Sequence, residues 1–330
     1  MGWITATALF LQISVQMGTP ILFGTLGGIL GEKTGNLNLG VEGMMYMGGA
    51  MGLGGAFYYE MMTGGNTNGL VAVLIAILFA FLGGAFGALI YSFITITLRA
   101  NQNVTGLALA IFGTGAGQFI GEYMRVTSGG YVAISNELKA VFQGSPFPAA
   151  LQSIPVAGPL LFSYNIFVYL GVAIAVAMAF FFNKSRPGLH LRAVGESPAT
   201  ADAAGINVTK YKYLSTVIGG GISAIGGMVY ITTIAGCVWN HEGLSGEGWL
   251  AVALVIFCLW RPVNAIWGSV LFGALMILYL RLQLPFIPDQ LYKILPYVVT
   301  VIVLIFTSMR NSKDKQPPAS LGLPFFREER

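Results

Sequence analysis

Nine apolar runs, each close to the length needed to cross a lipid bilayer, limit this chain more than any other feature. A hydrocarbon core of about 30 Å needs roughly 20 mostly apolar residues as a helix. Such runs fall near 4–29, 39–59, 70–98, 104–121, 163–183, 213–236, 248–260, 263–282 and 291–309. The first and third are long, and the seventh is short enough to be a re-entrant or half-span. Hydrocarbon offers no water to unpaired backbone groups, so runs of this kind must close their hydrogen bonds as helices. The expected fold is all-α, a polytopic membrane protein with about 9 (8–10) transmembrane helices. Composition agrees, with 55 % hydrophobic and only 9 % charged residues in 330. A soluble domain carries roughly 25 % charged residues, and this chain could not cover a water-facing surface of its size.

Charge placement gives the orientation, because cytoplasmic loops are rich in Lys and Arg. The loop 184–212 holds Lys184, Arg186, Arg192, Lys210 and Lys212, and the tail holds Arg310, Lys313, Lys315, Arg327 and Arg330. Both are placed in the cytoplasm, together with 30–38, 99–103 and Arg261. Arg125, Lys139, Arg281 and Lys293 are left outside. The sequence thus divides into one transmembrane domain, 1–310, and an extended cytoplasmic tail, 311–330. Residues 122–162 form a long external loop, with a short surface helix near Asn136–Phe142. No cationic stretch precedes the first run, so a cleaved leader is not expected.

The net charge of +4 is spread between apolar runs, which is not a nucleic-acid pattern. Cys237 and Cys258 match no metal-ligand spacing, and neither do His190 and His241. The stretch Gly27–Thr34 approaches a phosphate loop, but Glu32 separates the glycine from Lys33, and no strand precedes it. No nucleophile–base constellation appears, so the chain is not expected to be an enzyme.

Many of the 45 glycines recur one turn apart, as in Gly48/Gly52, Gly83/Gly87 and Gly113/Gly117/Gly121. Small residues at that spacing let helix backbones approach closely in lipid. Polar residues inside apolar runs are costly and so are candidates for function. Gln12, Gln16, Glu42, Thr114 and Gln118 lie inside the runs, Asn36, Asn38 and Asn103 flank them, and Trp239 adds an aromatic surface. Uncharged amides and hydroxyls line paths for neutral, hydrogen-bonding solutes, and they also bond helices together. Glu42 reads either as a proton site or as a carboxylate at a helix start near water and Lys33. Trp239, Trp249 and Phe257 could stack on a base or sugar, or form an interfacial belt.

The cytoplasmic loop is the most informative stretch. Ser197 fits an N-cap, Pro198 the first helical position and Gly205 a C′ stop. They predict a two-turn helix over 198–204, made of small residues. A helix that short is not stable alone, and it lacks large apolar anchors for lipid. A protein partner is favoured.

The stretch Asp202-Ala203-Ala204-Gly205-Ile206 resembles the Glu-Ala-Ala-type loop of ABC-importer permeases. More widely, the chain resembles the permease subunits of nucleoside and simple-sugar ABC importers, within the branched-chain amino acid and ribose permease superfamily. The likeness runs through GEKTGNLNLGVEGMMYMGG (31–49), LRAVGESPATADAAGINVTKYKYLSTVIGGGISAIGG (191–227), VIFCLWRPVNAIWGSVLFG (255–273), LPYVVTVIVLIFTS (295–308) and PASLGLPFFREER (318–330). Glu247 and Cys258 depart from it, standing where a basic or neutral residue and a glycine are expected.

The resemblance implies a multi-pass subunit of the bacterial cytoplasmic membrane, often in a heterodimer with a second permease. A separate ABC ATPase would bind ATP and Mg, with no cofactor or metal in this chain. An extracytoplasmic solute-binding protein would deliver the small-molecule solute. Ser197, Pro198, Ala199, Thr200, Asp202, Ala203, Ala204, Gly205 and Ile206 would form the segment that couples to the ATPase. A ribose-type sugar or a branched-chain amino acid is the alternative solute. A stand-alone secondary transporter is the alternative class, although no clear internal repeat is visible and Glu42 is the one candidate for ion coupling.

Overall fold

Local chemistry sets the helix ends. α1 (Trp3–Glu32), α2 (Val41–Thr63), α3 (Gly69–Ser92) and α4 (Gln102–Thr127) fill the first four apolar runs. The stretch between the fourth and fifth runs contributes α5 (Asn136–Gln143) and α6 (Ala149–Gln152). α7 (Ile166–Lys184) follows, then two helices of the basic loop, α8 (Arg186–Glu196) and α9 (Pro198–Ala203), then α10 (Val208–Val229). The last are α11 (Glu247–Phe257), α12 (Pro262–Met276), α13 (Asp289–Tyr292) and α14 (Leu295–Met309). Asn68, Asn101, Ser135, Asn165, Ser185, Ser197 and Asn207 each accept a main-chain N–H from the first turn of the helix that follows. Each side-chain oxygen thereby satisfies a donor the helix cannot.

This is a computed structural model, and it describes residues 3–244, 246–278, 289–292, 294–309 and 316–327. Among these residues the chain is all-helical, and an isolated bridge between Ala133 and Val238 is its nearest approach to a sheet. The end of the run 263–282 and the charges Arg281, Lys293, Arg310, Lys313, Lys315 and Arg330 lie outside the described residues. Among the described residues, five helical segments are long and apolar enough to cross a membrane: Ala6–Glu32, Gly69–Thr97, Gln102–Thr127, Ile166–Lys184 and Val208–Ile234. α11 and α12 are shorter apolar helices.

α3 shows how the molecule meets lipid. Leu70, Leu74, Leu78, Leu82, Phe86, Leu89 and Phe93 are exposed along it, a stripe at helical spacing that hydrocarbon would cover. The bundle interior is close backbone contact instead. A Cβ at Gly113 would strike the Gly43 main chain, and one at Gly117 that of Tyr46, which seats α4 on α2. Gly27 meets Gly219, and Gly226 meets the Pro20 carbonyl, which seats α10 antiparallel on α1. The one-turn glycine spacing thus works as packing, as the sequence predicts.

The region after α10 is discontinuous. α10 ends in a π-helical turn, Tyr230–Ile234, and the chain then enters the bundle without regular structure. The Trp239 N–H donates to the Val132 carbonyl (3.1 Å), and the Trp239 indole lies on Gly121. Gln118 Nε2 donates to the His241 carbonyl (3.2 Å). Gly248 then packs against the Glu42 backbone, beside the contact of Gly43 with Gly113. From Gly121 to Gly113 the descent along α4 is about 12 Å. There α11 begins, and its 11 residues span only about 16 Å. It runs parallel to the end of α1, with Ala251 at Gly24 and Val255 at Gly28. Trp260 Nε1 closes the pair with a bond to Glu32 Oε2 (2.5 Å). The short seventh run is therefore a half-helix that starts inside the bundle.

The tail is not a loose extension. The Ser320 hydroxyl and N–H both donate to the Gly195 carbonyl (2.6 and 3.0 Å). The Gly322 N–H donates to the Gly35 carbonyl (3.1 Å), and Gln102 Nε2 to the Leu323 carbonyl (3.4 Å). Residues 316–327 thus tie the α1–α2 turn, α8 and the start of α4 together.

Candidate translocation path and coupling surface

A half-helix that begins inside a bundle leaves free N–H groups where water is scarce, and its dipole makes that end electropositive. Glu42 answers both. Its two carboxylate oxygens accept from the Gly246 N–H (2.8 Å) and the Gly248 N–H (2.6 Å). Glycine is required on the α11 side, because a Cβ at Gly248 would collide with the Glu42 main chain. Glu42 is 6 % exposed, so it is not the water-facing carboxylate near Lys33 that one sequence reading allows. Lys33 has different neighbours. Its half-buried position, then the cations Arg192 and Arg261, hold its ammonium below the usual lysine range, with Glu196 opposing them.

Glu247 stands next to this cap and is equally buried, at 6 % exposed. Its Oε2 has no hydrogen-bond partner. A buried acceptor left open is costly, and it offers a place for a hydroxyl or N–H donor. The sequence marks Glu247 only as a departure from the resemblance. The signal that finds it is the Gly246–Glu247–Gly248 run opening a short apolar helix.

The remaining predicted path residues divide between separate places. Gln118 and Trp239 border the descending segment, and Thr114 lies one turn from Gln118 on α4. The Trp239 indole N–H is buried without a partner. Gln118, Trp239, Glu42 and Glu247 lie in turn beside the segment that runs from Gly121 to the start of α11. Gln12 sits elsewhere, donating to the Ser163 carbonyl (3.4 Å), and Gln16 shares its helix. Asn36 and Asn38 lie at the α1–α2 turn. Asn36 Nδ2 donates to Thr216 Oγ1 (2.8 Å), while Asn38 Oδ1 accepts from the Gly40 N–H (2.8 Å). Asn103 is exposed in the first turn of α4. Phe257 closes α11 and packs edge-on against Phe272 of α12.

The second site is the surface around α9. The predicted local structure is present: Ser197 Oγ accepts from the Thr200 N–H (3.4 Å), Pro198 opens the helix, and Gly205 has φ +81°. Ala201 points inward, packed with Val194 and Val208 and flanked by Ile206, Tyr211 and Phe325. Ala199, Thr200, Ala203, Ala204 and Gly205 are exposed. One side of α9 is thereby anchored, and the other is a flat patch of small side chains. Asp202 pairs with Arg327 of the tail (3.2 Å), a contact that the sequence does not announce. Among the described residues, no group of three or more His, Cys, Asp or Glu could hold a metal ion.

A family model for the permease component of branched-chain amino acid transport systems matches residues 10–304. The guanosine ABC transporter permease protein NupQ of Bacillus subtilis is 30 % identical over all of both chains. The putative glucose ABC transporter permease protein TsgC13 of Haloferax volcanii is 32 % identical over 97 % of each. The nucleoside ABC transporter permease protein NupC of Lactococcus lactis is 31 % identical over 87 % of this chain and 88 % of its own.

Proposed function

The chain belongs to the permease components of the branched-chain amino acid transport systems, and on that premise we propose that it forms half of the membrane path of an ATP-driven importer for nucleosides or related simple sugars. The observation that supports this most strongly is α9, a capped helix held from inside and bare outside. A partner ATPase, which binds ATP and Mg itself, seats its groove over residues 197–206. Closure of the ATPase pair then moves α9, and with it α10. The C-terminus lies in the cytoplasm of this reading, and a second permease completes the pore. An extracytoplasmic solute-binding protein hands the solute to the outer end of a track along the segment from Gly121 to α11, beside Trp239.

The track suits a neutral polyhydroxylated solute. It passes Gln118 and ends beside the free Oε2 of Glu247, which accepts from a sugar hydroxyl. Weak contacts are sufficient, because tight binding would slow release. Nucleosides are favoured over other solutes by the names of two full-length or near full-length relatives. A simple hexose is the second reading, favoured by the Haloferax relative.

The test is Ala203→Arg in the reconstituted transporter, which should abolish both solute uptake and its stimulation of ATPase activity. The assignment of α9 fails if both survive. Competition of uptake by unlabelled guanosine, uridine, ribose, glucose and leucine then separates the solute readings.

A further inference from the structure

The tail and the α9–α10 junction border a cavity that shares Asp202, Gly205 and Ile206 with the segment assigned to the ATPase, and whose other walls the import reading leaves without a role. Its volume is about 700 Å³. Its walls come from the end of α3, the start of α4, residues 205–213 and residues 324–327. Arg99, Lys210, Lys212 and Arg327 line it, and among the described lining residues Asp202 is the one acidic side chain. Asp202 bonds Arg327, so among the described residues no ion pair engages Arg99, Lys210 or Lys212.

Lys212 is the telling one. It is 3 % exposed, and no ion pair or side-chain hydrogen bond engages its ammonium among the described residues. A lysine buried along its length at the wall of a cavity lined by further cations favours an anion in that cavity. Asn36, on the same wall and fully buried, has an unpartnered Oδ1 and so accepts a hydroxyl. Tyr213 and Phe325 supply aromatic surface. Arg99, in a left-handed conformation at φ +57°, lies over the ring of Phe326 at 4.7 Å, which fixes a cation at the rim.

We propose that this cavity is a binding site for a phosphate ester carrying a neighbouring hydroxyl. The phosphate would sit on Lys212, Lys210 and Arg99, and the hydroxyl on Asn36 Oδ1. Cations, an amide acceptor and aromatic faces in one enclosed space match a sugar phosphate or nucleoside monophosphate. A phospholipid headgroup with a free hydroxyl presents the same chemistry. The site does not depend on which solute is imported. It lies against Asp202 and the α9–α10 junction, where an occupant would stiffen the segment assigned to the ATPase.

The experiment uses the intact transporter in nanodiscs. In phosphatidylcholine discs, labelled ribose 5-phosphate is titrated by equilibrium dialysis. In discs containing phosphatidylglycerol, lipid retained with the purified complex is measured by mass spectrometry. The variants are Lys212→Gln and the rim pair Arg99→Gln/Lys210→Gln, whose exposed side chains leave folding intact. Lys184→Gln/Arg186→Gln, outside the cavity, is the control.

The expected result is saturable binding in one arm, weakened at least tenfold by both cavity variants and unchanged in the control. Ribose 5-phosphate binding identifies a soluble ester, and retained phosphatidylglycerol identifies a lipid. Binding equal in all variants, or absent from both arms, overturns the proposal. Either result leaves the import reading standing, because Ala203→Arg and solute competition test that separately.

Discussion

The polar groups at the mouth of α11 and those around α9 meet opposite fates. Inside the bundle, the Glu42 carboxylate is held by main-chain donors on both oxygens, and the glycine at position 248 makes room for it. Around α9, polar groups are left available: an exposed small-residue patch, a lysine with no ion pair among the described residues, and a salt bridge at the surface. Where water is scarce, each donor must be matched within the protein. Where water or a partner can enter, matching can be left to an occupant. Stability therefore concentrates at the first region, and coupling at the second.

Substitutions at four positions press on this contrast, in falling order of effect. Gly248→Ala places a methyl group into the Glu42 backbone, which has no side chain to move aside. Loss of folded protein in mild detergent is expected, read by size-exclusion and thermal denaturation. Glu42→Ala leaves two buried N–H groups open, at about 1–3 kcal/mol each. A marked fall in melting temperature should follow, while Glu42→Gln, which keeps one acceptor, should fall less. Glu42 variants as stable as the parent would show that water satisfies α11 and would erase the contrast.

Ser197→Ala removes the cap of α9, worth about 1 kcal/mol. Since α9 is a satellite of the bundle, global unfolding should hardly change, while solute-stimulated ATPase activity falls. Asp202→Asn weakens an exposed ion pair, so the effect on stability should stay within about 0.5 kcal/mol. Any larger loss would mean that the tail holds the bundle together.

How much of this was legible depends on range along the chain. The cap, proline and stop of α9 act within eight residues, and residue types alone announce them. The glycine spacing of α2, α4 and α10 is equally local, and it correctly marks packed faces. Glu42 is different. Its donors, Gly246 and Gly248, are about 200 residues away, and a main-chain N–H has no residue type. The carboxylate could be noticed, but its use could not. The tail was obscured in the same way, because its hold on Gly195 and Gly35 runs largely through backbone atoms. Its prolines spoke only for an extended path. Lys212 looked like one more orientation charge. Its burial follows from the tail and the α1–α2 turn folding over it.

The glycine seams of α10 also have a mechanical meaning. From Val208 to Ile234 this segment has 27 residues, a rod of about 40 Å. Gly219 bears on the α1 backbone, Gly220 on α3 and Gly227 on α2. Backbone against backbone has little compliance, since no rotamer can turn to absorb a displacement. A push delivered at α9 therefore reaches the far end of α10 as tilt of a stiff block that includes α1, α2 and α3. The give must lie elsewhere, in seams made of side chains, such as those that α7 forms with α1 and α12.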